Sequence, residues 1–274
     1  MTSLIKTHRE GGVLTLTLAR ADKKNALTNA MYGDLADAID SASSGDIRVI
    51  LIEADGDTFT AGNDLGEFAA QGAGGNAERH VERFLKNLAT TAVPVIAAVQ
   101  GKAVGVGTTM LLHCDFVILA EDAQLITPFV NLALIPEAAS TYLLPLRVGS
   151  VRAFEMFAFG KPVLAGDALT WGLANKVVPN DNLTREAKQA ADEIAAKPAG
   201  SISAMKTLMR EASRFWRKCR PSAASLVSAS RAQRHAKPSP PSQKSESPTS
   251  PNCVANSTPL VPLQPRLLSQ ATFL

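Results

Sequence analysis

Val95-Ile96-Ala97-Ala98-Val99, followed at once by Gln100-Gly101-Lys102-Ala103-Val104-Gly105-Val106-Gly107-Thr108-Thr109, is the stretch on which the fold of this chain turns. Five apolar residues in succession, with β-branched Val95, Ile96 and Val99 among them, suit a strand buried on both faces. The glycines at 101, 105 and 107 mark a loop between that strand and a helix. A Gly-rich strand-to-helix turn gathers free amides and the positive helix end at one point, where negative charge is favoured. Two readings stand for such a loop, a tight turn and an anion-holding site. Gly105 to Met110 lacks the third glycine of a dinucleotide fingerprint, and no Gly-Lys-Ser/Thr phosphate loop occurs.

Working outward, Arg48-Val49-Ile50-Leu51-Ile52-Glu53 and Asp115-Phe116-Val117-Ile118-Leu119-Ala120 read as further buried strands. Val13-Leu14-Thr15-Leu16-Thr17-Leu18 alternates apolar and polar residues, the pattern of a half-buried strand. Helical spacing fills the intervals. Thr28 to Ile39 opens on a capping residue, and Glu78 to Ala89 sets Val81, Phe84, Leu85 and Leu88 on one face. From about Val151 the pattern is helical, with Thr184 to Ala196 and Ser201 to Ala212 as helices. Strands alternating with helices predict an α/β fold.

The 274 residues are 46% apolar and 19% charged, which excludes a wholly disordered or fibrous chain. No run approaches the roughly 18 apolar residues of a membrane span, and the first ten residues lack a signal-peptide core. Cys114, Cys219 and Cys253 suit neither a disulfide framework nor a zinc site, so a soluble protein of a reducing compartment is expected. The net charge of +3 hides a division. Of 28 basic residues, 19 precede position 214 and 9 lie from Arg214 onward; of 25 acidic ones, 24 precede and only Glu246 follows. The body therefore carries −5 and the tail +8. The tail holds 9 of the 16 prolines and 11 serines, a composition that cannot bury enough apolar surface to order itself. No aromatic residue interleaves its charges between Pro221 and Thr272, so no nucleic-acid partner is expected.

Two further features carry chemistry. Phe59-Thr60-Ala61-Gly62-Asn63-Asp64-Leu65 follows a buried strand, and its small residues let a ligand approach the backbone. Glu137 stands among apolar and small residues in Thr127-Pro128-Phe129-Val130-Asn131-Leu132-Ala133-Leu134-Ile135-Pro136-Glu137-Ala138-Ala139-Ser140-Thr141. It is either a helix-start residue favoured by the dipole or a base whose pKa is raised by apolar surroundings. His113 and Cys114 read as packing or a helix end, and His8, His80 and His235 lack the companions of a nucleophilic triad.

Together these segments resemble the crotonase (enoyl-CoA hydratase/isomerase) superfamily, and within it most closely the Δ3,Δ2-enoyl-CoA isomerases of the peroxisomal type. The resemblance runs from Arg20-Ala21-Asp22-Lys23-Lys24-Asn25-Ala26-Leu27 through both glycine loops, Pro136-Glu137-Ala138-Ala139-Ser140-Thr141 and Phe159-Gly160-Lys161, over roughly residues 5–212. It implies a spiral of ββα units followed by a helical region, with homotrimers or dimers of trimers as the assembly. Residues 1–197 would form the spiral core with its following helices, and 198–213 would begin the C-terminal helical region. Residues 214–274 would be a basic Ser/Pro-rich tail, disordered or the product of a frame shift near Ser213.

By position, the resemblance assigns the two backbone N–H groups that hold an acyl-CoA thioester oxygen to Asn63 and Val106. Losing one such donor typically costs ~10²–10³ in rate. It places Lys23, Lys24, Ala26, Ala61, Gly62, Asp64, Leu65 and Gly105 along the CoA and substrate path. Lys23 and Lys24 read equally as a solvated face, and Asp64 as a side chain that orders its loop. Hydratases of the family carry two glutamates where this chain has Thr109 and Phe129, neither able to exchange protons near neutral pH. Single-glutamate isomerases carry theirs where Glu137 stands, so Glu137 is the implied base, with Thr109 and Phe129 as pocket lining. The implied activity moves a 3-enoyl-CoA double bond to the 2-position. No metal or redox cofactor is expected, CoA arriving with the substrate. Another crotonase-type reaction, such as diverged hydration or thioester hydrolysis, and non-catalytic acyl-CoA binding are the alternatives. The ending Ala271-Thr272-Phe273-Leu274 is no Ser-Lys-Leu address, so a cytoplasmic location is expected.

Overall fold

The computed structural model describes residues 3–43, 46–67 and 79–210. Four parallel pairings build its main sheet. β2 (Val13–Leu18) lies beside β3 (Val49–Ala54), then β4 (Val95–Val99), β6 (Phe116–Ala120) and β9 (Lys176–Val178). The buried strands expected from the sequence thus stand at its centre. Their two-residue period divides the side chains between two cores. Ile50, Ile52, Val95, Ala97, Val99, Val117 and Leu119 enter the larger core; Val49, Leu51, Ile96, Ala98, Ile118 and Ala120 enter the smaller one.

Helices cover each face. α1 (Asn29–Ser43) and α2 (His80–Thr90) bury Met31, Leu35, Ile39, Phe84 and Leu88 in the larger core. The smaller core is closed by α7 (Leu183–Ala195), whose Leu183, Ala187, Ala191 and Ala195 recur every four residues and form one ridge. Burial on both sides explains why these strands read as continuous apolar runs.

A second sheet, in the order β5 (Lys102–Val104), β7 (Gln124–Ile126), β8 (Val163–Leu164), takes one short strand from each turn of chain. β4 pairs β6 in one sheet while β5 pairs β7 in the other, both parallel. This is the stepwise progression of a ββα spiral. A single turn of helix, α3 (Val106–Thr109), follows β5 and continues as a 3-10 turn over Met110–His113. The helical region comprises α4 (Ser140–Val148), α5 (Ser150–Phe159), α6 (Ala165–Thr170), α7 and α8 (Ala199–Met209). The expected tail from residue 214, with Cys219 and Cys253, lies outside the described residues.

One edge strand has no apolar pattern of its own. β1 (Ile5–Glu10) buries Ile5 alone and pairs antiparallel with β2, Glu10 opposite Val13. Gly11 and Gly12, with φ of 57° and 83°, close the two-residue turn, which demands positive φ at both positions.

Candidate active site

Three segments lie side by side at the heart of the site. Thr60 forms a parallel bridge with Ala103, its N–H donating to Lys102 O and its carbonyl accepting from Val104 N. Three residues further along, Leu27 takes the other flank: its N–H donates to Gly62 O and its carbonyl accepts from Asp64 N. In a parallel bridge the residue opposite contributes neither group, so the Asn63 N–H is left out of the ladder. Val106 lies three residues past Ala103, as Asn63 lies three past Thr60, and opens α3 with a first-turn amide that the helix itself cannot satisfy. Neither amide has an acceptor among the described residues. Both expected oxyanion donors are thus amides left free, each three residues past the Thr60–Ala103 bridge.

Glycine permits this approach. A Cβ on Gly62, whose φ is +90°, would lie 2.9 Å from Val104 O, and one on Gly107 would lie 2.5 Å from Thr60 Cγ2. Gly105 precedes α3 at φ 57° and ψ −115°, a combination closed to side-chain-bearing residues. Beneath the loops, Asn25 is fully buried. Its Oδ1 accepts from Arg20 N, and its Nδ2 donates to the carbonyls of Asp55 and Thr58, each at 2.8 Å.

Glu137 lies on the turn before α4, its carbonyl accepting from Ser140 N. Oε1 is sealed from solvent and has no hydrogen-bond partner among the described residues. Burial pushes its pKa up from 4.5 to about 7. A residue stabilised by a helix dipole would show the opposite shift, and a raised pKa is the one a base needs. Ala138 and Ala139 follow with φ of 54° and 55°, left-handed values that cost an alanine roughly 1–2 kcal/mol each. His113 steadies this turn. Buried at the end of the 3-10 turn, with its pKa lowered to about 4 by burial, it is neutral and donates Nε2–H to Ala138 O at 2.8 Å. It does more than pack.

The remaining expected residues divide. Thr109 and Phe129 are buried as lining residues would be, Phe129 edge-on to Phe157 at 6.4 Å. The Asp64 carboxylate accepts from Arg20 Nη1 at 2.8 Å and from the N–H groups of Gly66 and Glu67, which holds its pKa low. Its place is to order the loop. The same Arg20 nitrogen donates to Ala26 O at 2.9 Å, and Ala61 N donates to Lys24 O at 2.8 Å. Lys24 is ion-paired to Asp57 at 2.8 Å, whereas Lys23 has no ion pair among the described residues. Leu65 is largely exposed. No group of three His, Cys, Asp or Glu able to hold a metal occurs among the described residues, nor any helix long and apolar enough to cross a membrane.

Tyr32 was not among the expected site residues. From α1 its hydroxyl donates to Asn63 Oδ1, and it feels the charge of Glu137. In the sequence it sits within an apolar helical stripe, where a tyrosine reads as core; the signal available was that a buried phenol needs a partner.

Residues 8–242 match the model of a family described as enoyl-CoA hydratase/isomerase, a match that runs past residue 212, where the resemblance seen in the sequence ended. The chain is 34% identical over 219 residues to 1,2-epoxyphenylacetyl-CoA isomerase of Escherichia coli, covering 77% of this chain and 84% of that protein. It is 33% identical over 207 residues to enoyl-CoA delta isomerase 2 of Rattus norvegicus, covering 74% of this chain but 53% of the rat protein, about half its length. The crystal structure of an enoyl-CoA hydratase/isomerase from Pseudoalteromonas atlantica superposes with a TM-score of 0.79 at 35% identity, covering 83% of this chain and 91% of that one.

Proposed function

Since the chain belongs to the enoyl-CoA hydratase/isomerase family, we propose that it is the isomerase, moving the double bond of a 3-enoyl-CoA into conjugation at the 2-position. The observation that carries this reading is the solitary Glu137 carboxyl, its Oε1 sealed from solvent and unpartnered among the described residues and its pKa raised towards neutrality, with threonine and phenylalanine where a hydratase would hold two acids.

The Glu137 carboxylate takes a proton from C2, and the electron pair passes into the thioester carbonyl as a dienolate. The N–H groups of Asn63 and Val106 hold the oxygen that gains charge. The carboxylic acid thus formed returns the proton to C4, and the electrons settle as the conjugated 2-enoyl thioester. One carboxyl suffices, because the proton leaves and re-enters the same molecule. No resident cofactor takes part in this scheme, and CoA belongs to the substrate. A role in fatty-acid β-oxidation, trimeric assembly and a cytoplasmic location complete the proposal.

The test follows the ultraviolet absorbance of the conjugated product with the full chain and with Glu137→Gln. Loss of a positioned base costs roughly 10²–10⁴ in rate. A fall of that size supports the reading. Undiminished turnover in Glu137→Gln, or a 3-hydroxyacyl product, overturns it.

A further inference from the structure

Isomerisation as drawn uses the backbone of Asn63 and leaves its side chain idle, yet that side chain makes a part-buried contact. Tyr32 is 4% exposed, with its ring tilted against Phe84 at a centroid distance of 5.6 Å. Packing on α1 and α2 therefore fixes where its hydroxyl lies. That hydroxyl donates to Asn63 Oδ1, across 31 residues of sequence. We infer that Tyr32 is a positioning residue of the oxyanion site, holding Asn63 by its side chain so that the Asn63 N–H keeps the orientation the thioester oxygen requires. This inference rests on the reading of Asn63 as an oxyanion donor.

The need for such a hold follows from the ladder. Gly62 and Asp64 are each bonded to Leu27, but Asn63 between them is tied through neither of its own main-chain groups. An amide can be turned by rotation on either side of it, and Gly62 on its N-terminal side is conformationally permissive. A second tether on the Asn63 side chain removes that freedom before substrate arrives. Preorganised donors hold developing charge better than donors that must reorient. A phenol is suited to the task, since it carries a single proton and stays neutral across the working range of a base near pH 7.

Tyr32→Phe removes the hydroxyl and keeps the ring on Phe84, while Asn63→Ala keeps the backbone N–H and removes the tethered side chain. The inference expects each to lower kcat for 3-enoyl-CoA about tenfold with KM little changed, a fraction of the cost of losing a donor outright. It expects the double variant to fall no further, because both changes cut one link. A readout independent of turnover is the infrared C=O stretch of a bound saturated acyl-CoA, which oxyanion hydrogen bonds shift to lower frequency. The shift should shrink alike in both single variants. Full kcat and a full shift in Tyr32→Phe overturn the inference, as do losses that multiply in the double variant. If the wild type fails to isomerise but the carbonyl shift still depends on Tyr32, the isomerase reading fails and the positioning role stands.

Discussion

At the residue scale, the proposed chemistry depends on an acid whose Oε1 is sealed and has no partner among the described residues. Glu137 must be ionised to take a proton, and burial has raised its pKa to about 7. The value of kcat/KM should therefore rise with pH and level off above an inflection near 7. A profile flat from pH 5 to 8 would show that another group is the base. The sequence made this residue conspicuous, a lone glutamate among small and apolar neighbours, but left it two readings, and only the family resemblance implied the base. Its neighbours were not. His113 and Tyr32 lie in apolar stretches, 24 residues before Glu137 in one case and 105 in the other, and their roles rest on contacts that sequence spacing does not record. A buried polar side chain announces only that some partner exists.

At the scale of elements, register makes the site. The bridges at Thr60 and Leu27 fix the segments that carry Asn63 and Val106, and Gly107 lets the two loops close up. Gly107→Ala would force its new methyl 2.5 Å from Thr60 Cγ2, too near for either to remain in place. Thr60 cannot easily yield, since its Oγ1 donates to the buried Asn25 carbonyl at 2.6 Å. The expected result is a loss of about 1–3 kcal/mol in stability, as for overpacking elsewhere, and at least a tenfold drop in kcat. Urea unfolding and product absorbance measure the two. An unchanged kcat would mean that the loops tolerate separation and that register does not set the rate. The buried strands and the glycine loops were legible because their periodicity and composition are local. The short strands β5, β7, β8 and β9 were not, having only two or three residues in which to show a pattern. The Gly11-Gly12 turn was a local signal for the β1 hairpin, but β1 itself reads as polar surface.

Across the whole molecule, two buried groups pull stability in opposite directions with pH. Glu137 has a folded pKa of about 7 against 4.5 when free, so between those values the native state holds a proton that the unfolded chain releases. Stability from this source falls as pH rises through that window. His113 has a folded pKa of about 4 against 6.5, chiefly through burial, with Arg210, Arg147 and Lys206 adding to it against the hydrogen bond to Ala138. Here the unfolded chain holds the extra proton between 4 and 6.5, and stability rises with pH. The surface carboxylates with lowered pKa, Glu10, Asp57, Asp64 and Glu186, act mainly below their free values of 3.8 or 4.5. From about pH 4.5 to 6.5 the two buried groups therefore oppose each other, and wild-type stability should be nearly level. Glu137→Gln removes one limb and exposes the other. Its stability should climb by about 1 kcal/mol per pH unit across that interval, close to the limit for one proton, and level off above 6.5. Urea midpoints at pH 4.5, 5.5, 6.5 and 7.5 measure it. Parallel curves for the two proteins would mean that Glu137 titrates as an ordinary surface acid, and its proposed role as the base would have to be given up.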